Sequence, residues 1–230
     1  MKKVWFIITE MGGAKEIGFV VFISFFGPRP RFFYYLSILT LITGMVSYMK
    51  IAYHQPRPYM IEPGIHPISC SKAFGQPSGH SMAASLIAIT LVLDVFHGSN
   101  GHTFYSKPFY YSCVAFAVFW ATAIPYTRFL MGVHSLDQIV YGSTLGVWAG
   151  FTMHFLVRDH LMEHLEMIIN HPKTAHIKSL FFVYTFYILA SIMTFLKVDS
   201  ILTPDSEQVK SYQANFAAGG CGVLKPLDSL

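Results

Sequence analysis

The sequence predicts an all-α fold, a polytopic membrane bundle of five to six transmembrane helices, and three observations carry the fold class. Of the 230 residues, 53% are apolar or aromatic and only 12% are charged, against about 25% charged in an ordinary soluble domain. The mean hydropathy is +0.46. The apolar residues come in long runs that charged residues bound on either side, and a run of about 20 such residues suffices to cross the roughly 30 Å hydrocarbon core. There is too little polar surface here for a soluble enzyme of ordinary composition, and disorder is excluded. Sixteen basic against twelve acidic residues give a net charge of +4, too mild to point to nucleic acid or another polyanion as partner.

Taken in order, the runs are these. Phe32 to Met49 is free of charge and ends at Lys50. Ser81 to Leu93 ends at Asp94 and can be extended to Phe96. Phe109 to Thr127 lies between Lys107 and Arg128, Ile139 to Val157 is stopped by Arg158, and Leu180 to Leu196 is stopped by Lys197. A sixth stretch, Ile17 to Phe26, is about half the needed length before Gly27-Pro28-Arg29-Pro30-Arg31 breaks it. It reads either as a span extended past Lys15 and Glu16 or as a re-entrant helix. The basic opening Met1-Lys2-Lys3 is not followed by a long apolar stretch with a small-residue cleavage site, and is read as retained. The chain thus divides into an N-terminal segment (1–31), a membrane-embedded domain (32–196) and a polar C-terminal tail (197–230) read as exposed. Cys70, Cys113 and Cys221 show no paired spacing and suggest neither a disulfide framework nor a metal site.

Alternating the spans gathers chemistry on one face. The connection 49–79 joins the first and second runs, and 126–138 joins the third and fourth, so both lie on the same side. Lys50, Arg57, His80, Arg128 and His134 therefore share a depth at the membrane boundary, where ionisable groups are costly and need partners or a task. Guanidinium forks and an ammonium suit phosphate oxygens. Pro77-Ser78-Gly79-His80 directly precedes a helix, whose N-terminal N–H groups and dipole favour an anion, with Gly79 permitting close approach. One imidazole can attack phosphorus while the other protonates the leaving oxygen. Any one of these residues alone is explained as a snorkelling cation, an interfacial histidine or a helix cap. The set in this order is not.

Lys50-(six residues)-Arg57-Pro58, then Pro77-Ser78-Gly79-His80, then Thr127-Arg128-(five residues)-His134 resembles the three-part signature of the type 2 phosphatidic acid phosphatase family. Its relatives include lipid phosphate phosphatases, sphingosine-1-phosphate phosphatases, glucose-6-phosphatase and vanadium haloperoxidases, and the resemblance covers about residues 32–157. It implies a metal- and cofactor-independent reaction through a phosphohistidine. His134 would be the nucleophile, His80 the general acid and then base, and Lys50, Arg57, Ser78, Gly79 and Arg128 the phosphate cradle. Two positions depart from the pattern. Thr127 stands where Ser is usual and keeps the hydroxyl. Four residues after His134, where an Asp usually orients the ring, stands Gln138, with Asp137 one residue earlier. The glucose-6-phosphatase branch resembles this chain in having Gln there. If the segment is helical, i+3 and i+4 both reach residue i, and Asp137 is expected to compensate in part for the missing carboxylate, because an Asp keeps the ring basic whereas Gln can only fix its tautomer.

His160-Leu161-Met162-Glu163-His164 fits the H-x-x-E-H pattern of inverted zinc peptidases. It lies on the opposite face and is read as part of a solvated amphipathic helix. The functional expectation is an integral-membrane phosphatase acting on a lipid phosphate monoester, with membrane lipids as its surroundings. The alternatives are a sugar-phosphate phosphatase, or a degenerate phosphatase fold serving as scaffold or subunit of a larger membrane assembly. Arg29, Arg31, Lys107, Arg158, Lys173 and Lys178 lie on the face away from the motifs, which by the positive-inside rule turns the site toward a lumen or the outside, as in the endoplasmic reticulum or another endomembrane.

Overall fold

In the computed structural model the structure describes residues 9, 18, 26–97, 106–171, 174–201 and 206–222. The Ile17–Phe26 stretch falls largely outside them. Among the described residues the regular structure is entirely helical: α1 (Arg29–Tyr53), α2 (Pro58–Ile61), α3 (Gly79–Phe96), α4 (Lys107–Leu130), α5 (Leu136–Thr152), a π-helical turn (Met153–Val157), α6 (Arg158–Asn170), α7 (Thr174–Ile201) and α8 (Glu207–Ala218). Among the described residues four stretches are long and apolar enough to cross a membrane, Arg29–Ile61, Gly79–Phe96, Lys107–Leu130 and Phe181–Ile201. The fourth predicted run, Ile139 to Val157, is α5 together with the π turn. Asp94 does not end α3, because its carboxylate is neutralised where it lies.

The two central helices, α3 and α5, meet along a seam of small residues. A Cβ on Gly142 would stand 2.6 Å from the Ser78 carbonyl oxygen, and one on Gly146 would overlap the Met82 carbonyl. Spaced four apart, these glycines form one stripe of α5 and let the two backbones touch, as small residues do between membrane helices, where the hydrophobic effect gives no pull. Around the seam Tyr34, Tyr35, Ile38, Leu39 and Ile42 of α1 pack on Met82, Leu86 and Ile87 of α3 and on Ala149 and Met153. The outward faces of α4 and α7 carry Phe116, Phe119, Phe181, Phe182 and Phe186 exposed, as lipid-facing surfaces do.

An ion cluster pins the end of the bundle away from the motifs. Asp94 is 7% exposed and accepts from Arg158 Nε at 3.1 Å, Arg158 Nη2 at 2.8 Å and Tyr35 Oη at 2.8 Å. Arg31 Nε stands 3.3 Å from Oδ2, the oxygen that accepts from Tyr35. A buried carboxylate is tolerated when paired and hydrogen-bonded in this way.

The chain after Lys197 differs from the exposed tail that its polar composition predicts. α7 continues to Ile201, and α8 folds back onto α2. Phe216, 1% exposed, joins Tyr59, Met60, Met131 and Val133 in a second apolar cluster, and burying one such ring contributes about 1.5–3 kcal/mol. Asn215 Nδ2 donates to the Met60 and Ile61 carbonyls at 3.0 and 2.8 Å. Cys221 is disulfide-bonded to Cys70, contrary to the reading of the cysteines as unpaired. The partners lie 151 residues apart, so local spacing holds no trace of the pairing; it depends on α8 returning to the motif face.

Candidate functional site

The motif residues come from three places in the chain. α1 ends at His54 in the left-handed region (φ 37°), its N–H bonded to the Lys50 carbonyl. Few residues other than glycine take this conformation, and here it turns the chain sharply so that Gln55-Pro56-Arg57 crosses the end of the bundle. Lys50 stands half-buried in the last turn of α1, and Arg57, 2% exposed, precedes α2. Ser78, fully buried, is the residue before α3, with Gly79 and His80 in the first turn. Arg128 is buried in the last turn of α4, His134 lies in the connection to α5, and Asp137 and Gln138 lie in the first turn of α5.

Direct bonds join the segments. The Ser78 N–H donates to the Gln138 carbonyl at 3.1 Å, tying the start of α3 to the start of α5. Ser78 makes no side-chain cap, as a plain N-cap serine would; its hydroxyl oxygen accepts from Ser81 at 2.9 Å. Arg57 is the hub between the first and third motifs. Its Nε donates to the Ala73 carbonyl at 2.7 Å, its Nη2 to the Ser71 hydroxyl at 3.2 Å and its Nη1 to the Val133 carbonyl at 2.9 Å. The same Nη1 lies 3.2 Å from His134 Nε2. Arg128 Nη1 donates to the Thr9 hydroxyl at 3.1 Å, which places Thr9 on the same side.

His134 is 2% exposed and lies outside the spans. Its Nδ1 is 3.1 Å from Gln138 Oε1. That oxygen also accepts the Ser135 N–H at 3.3 Å, within a capping box at the start of α5. Gln138 Nε2 donates to the Pro56 carbonyl at 2.9 Å and to Gln55 Oε1 at 3.1 Å. Both lone pairs and both hydrogens of the amide are thereby used. Gly75 lies flat against this amide, so close that a Cβ there would overlap it. Burial, with the charges of Arg57, Arg128 and Lys50 added, holds the His134 imidazole well below the usual histidine range, while the bond to Gln138 pulls the other way. A neutral imidazole can act as a nucleophile, and the three cations beside it are suited to holding an anion.

Asp137 does not take the place predicted for it. Its carboxylate accepts from Gln55 Nε2 at 3.0 Å, and the bond to the His134 ring belongs to Gln138. The i+3 and i+4 reasoning presumes that His134 is helical, whereas α5 begins at Leu136 with Ser135 as its cap. Sequence reasoning also passed over Gln55, Gly75, Ser71 and Thr9. The first two had a signal: Gln55 lies inside the Lys50–Arg57 motif, and Gly75 lies beside the Pro77–His80 motif on the same face.

Comparison with known proteins identifies a family. Residues 24–161 match the PAP2 superfamily, a stretch that includes Lys50, Arg57, Ser78, Gly79, His80, Arg128, His134 and Gln138. A relative in Dictyostelium discoideum, dolichyldiphosphatase 1, is 29% identical over 102 residues, which cover 44% of this chain and 44% of that protein; the chain thus aligns with less than half the length of this relative. No solved structure matches the chain significantly.

Proposed function

The chain belongs to the PAP2 superfamily, and from that membership we propose that it is an integral-membrane phosphatase that removes a phosphate from a lipid through a phosphohistidine on His134. The contact that carries the reading is Arg57 Nη1 at 3.2 Å from His134 Nε2, with the other ring nitrogen held by Gln138. A phosphate oxygen on the guanidinium would bring phosphorus within reach of that ring nitrogen, the near-attack arrangement that accounts for much of enzymatic rate.

In the reaction Nε2 attacks phosphorus and the bond from phosphorus to the lipid oxygen breaks. His80, at the start of α3, gives its proton to the departing oxygen. It then takes a proton from water, whose oxygen attacks the phosphohistidine, and the P–N bond breaks to return neutral His134 and inorganic phosphate. Lys50, Arg57 and Arg128, with Ser78 and the Gly79 N–H, stabilise the charge on the phosphoryl oxygens, the term that usually contributes most. No metal ion enters these steps.

The relative's name refers to a dolichyl diphosphate, so the substrate class includes lipids carrying one phosphate or two in series. The site faces a lumen or the exterior. The basic residues Arg31 and Arg158 gather at the far end, and the Cys70–Cys221 disulfide lies on the motif side, where an oxidising compartment preserves it.

The test uses full-length protein in detergent with EDTA present. Phosphatidic acid, a sphingoid-base phosphate, a polyprenyl diphosphate and glucose 6-phosphate are compared for phosphate release by wild type and His134→Ala. Release from a lipid substrate that His134→Ala lowers by at least a thousandfold, with labelled phosphate trapped on wild type alone, supports the proposal. Release that is indifferent to His134→Ala, or confined to the sugar phosphate, overturns it.

A further inference from the structure

Gln138 contacts His134, but what holds Gln138 lies further out, in residues that the family signature does not name. The network around the ring ends in four groups whose hydrogen-bonding roles are fixed by their chemistry. The Ser135 N–H and Arg57 Nη1 only donate; the Pro56 carbonyl and the Asp137 carboxylate only accept. Between them lie three groups that could each be turned either way: the Gln55 amide, the Gln138 amide and the His134 ring. Only one assignment satisfies all four ends, and it does not depend on how any amide happens to be drawn.

Asp137 Oδ2 at 3.0 Å requires Gln55 to present its nitrogen there, so Gln55 offers its oxygen to Gln138. The Pro56 carbonyl at 2.9 Å and Gln55 Oε1 at 3.1 Å then require the Gln138 nitrogen on their side. The Gln138 oxygen is left toward Ser135 and His134. His134 Nδ1 must therefore carry the hydrogen, and Nε2 has its lone pair directed at Arg57 Nη1, 3.2 Å away. Were Gln55 turned over, oxygen would face oxygen at Asp137 and nitrogen would face nitrogen at Gln138. Both contacts would be repulsive.

We infer that Gln55 and Asp137 are positioning residues for the phosphatase, the outer links of a relay Asp137–Gln55–Gln138–His134 that fixes the nucleophile as its Nδ1–H tautomer; as a statement about catalysis this rests on the reading of His134 given above. An amide at 138 in place of a carboxylate is then one part of a matched set. The Pro56 carbonyl and Gln55 oxygen demand a donor from residue 138, which a carboxylate could not supply. The Asp137 carboxylate acts two residues further from the ring, and its bond to Gln55 is exposed, so its contribution is direction more than energy.

Gln55→Met keeps the length of the side chain and removes both bonds. It leaves one buried N–H of Gln138 without its partner, and the amide is then held by the Pro56 carbonyl and the Ser135 N–H alone. The expected result is a loss of about tenfold in kcat with KM within about twofold. Gln55→Glu sets a second carboxylate against Asp137 and is expected to lose as much. The double variant Gln55→Glu/Asp137→Asn reverses the polarity of the outer bond, with Asn donating and Glu accepting, and still presents an oxygen to Gln138. It is expected to recover to within about threefold of wild type.

The second readout does not require turnover. Nitrogen-15 NMR of histidine-labelled protein in detergent, with His134 assigned by its loss in His134→Ala, is expected to show a protonated Nδ1 and an unprotonated Nε2 in wild type and in the double variant. In Gln55→Met the two nitrogens should shift toward averaged values. Wild-type kcat and unshifted His134 nitrogens in Gln55→Met overturn the relay, and so does a double variant no better than Gln55→Glu alone. If wild type releases no phosphate from any lipid, the phosphatase reading fails, while the nitrogen shifts still decide whether the relay sets the tautomer.

Discussion

Replacing Gln138 by Glu exchanges a single NH2 group for an oxygen, and the structure makes that exchange costly in two separable ways. The amide nitrogen donates to the Pro56 carbonyl at 2.9 Å and to Gln55 Oε1 at 3.1 Å, in a residue 1% exposed. In the variant both hydrogen bonds become contacts between oxygens. Two such bonds are worth about 1 kcal/mol each, and the unmet acceptors add to the loss, so a destabilisation of about 2–4 kcal/mol is expected. In a chain of this size that lowers Tm by roughly 5–15 °C. The second effect is on His134. Its pKa lies well below the ordinary histidine value, so the folded protein holds that proton less tightly than the unfolded chain does. The stability this contributes is present above about pH 6.5 and is lost as pH falls below it. A carboxylate bonded to Nδ1 raises the pKa by about 1–3 units. The acid limb of kcat/KM should move up by that amount, and the loss of stability on acidification should shrink. Phosphate release from mixed micelles across pH 4–9 or so, with thermal unfolding of the same samples, reads both effects. A pH profile that superimposes on wild type, or an unchanged Tm, would refute the account of Gln138 as a fully used amide.

Three other outcomes are expected. Gly75→Ala places a methyl against the Gln138 amide, and kcat should fall about tenfold while KM stays within about twofold, measured on a short-chain lipid phosphate. Asp94→Asn leaves Arg158 buried without its full countercharge and should cost about 3–5 kcal/mol, seen as a lower Tm, with kcat per folded molecule falling less than in Gly75→Ala because the glycine seam still seats α5 on α3. Cys70→Ser should cost about 2–5 kcal/mol; it also loosens the segment whose Ser71 holds Arg57 Nη2, so KM should rise more than kcat falls.

The sequence made some of this plain and hid the rest for physical reasons. The helical bundle was legible because a membrane leaves few options: apolar runs of spanning length can only be helices. The gathering of Lys50, Arg57, Arg128 and His134 was legible too, because alternation of spans converts order along the chain into side of the membrane. Three things lay beyond that logic. The Cys70–Cys221 bond needs α8 to return to the motif face, and α8 reads as a polar segment because only Val209 and Phe216 of its residues are buried. Asp94 looks like the end of a span because its partners, Arg31, Tyr35 and Arg158, come from other helices. Asp137 looks like the orienting acid because spacing alone does not reveal that the helix starts after His134.

The two ends of the bundle are related through the seam between α3 and α5. At the far end Asp94 of α3 is gripped by Arg158, just beyond α5, so neither helix can slide on the other without separating a buried ion pair. Along the seam the Gly142 and Gly146 positions seat α5 directly on backbone carbonyls of α3, contacts with no side chain between them to give way. At the near end the Ser78 N–H is bonded to the Gln138 carbonyl. The distance between the Ser78–Gly79 turn and Gln138 is therefore set by the ion pair at one end and by backbone contacts along the rest of the seam. A residue larger than glycine at 146 has to lever the helices apart, and the displacement arrives at Ser78 and Gln138 undamped. This explains why a site assembled from two connections can hold a tight hydrogen-bond network: the helices that the connections join cannot shift independently.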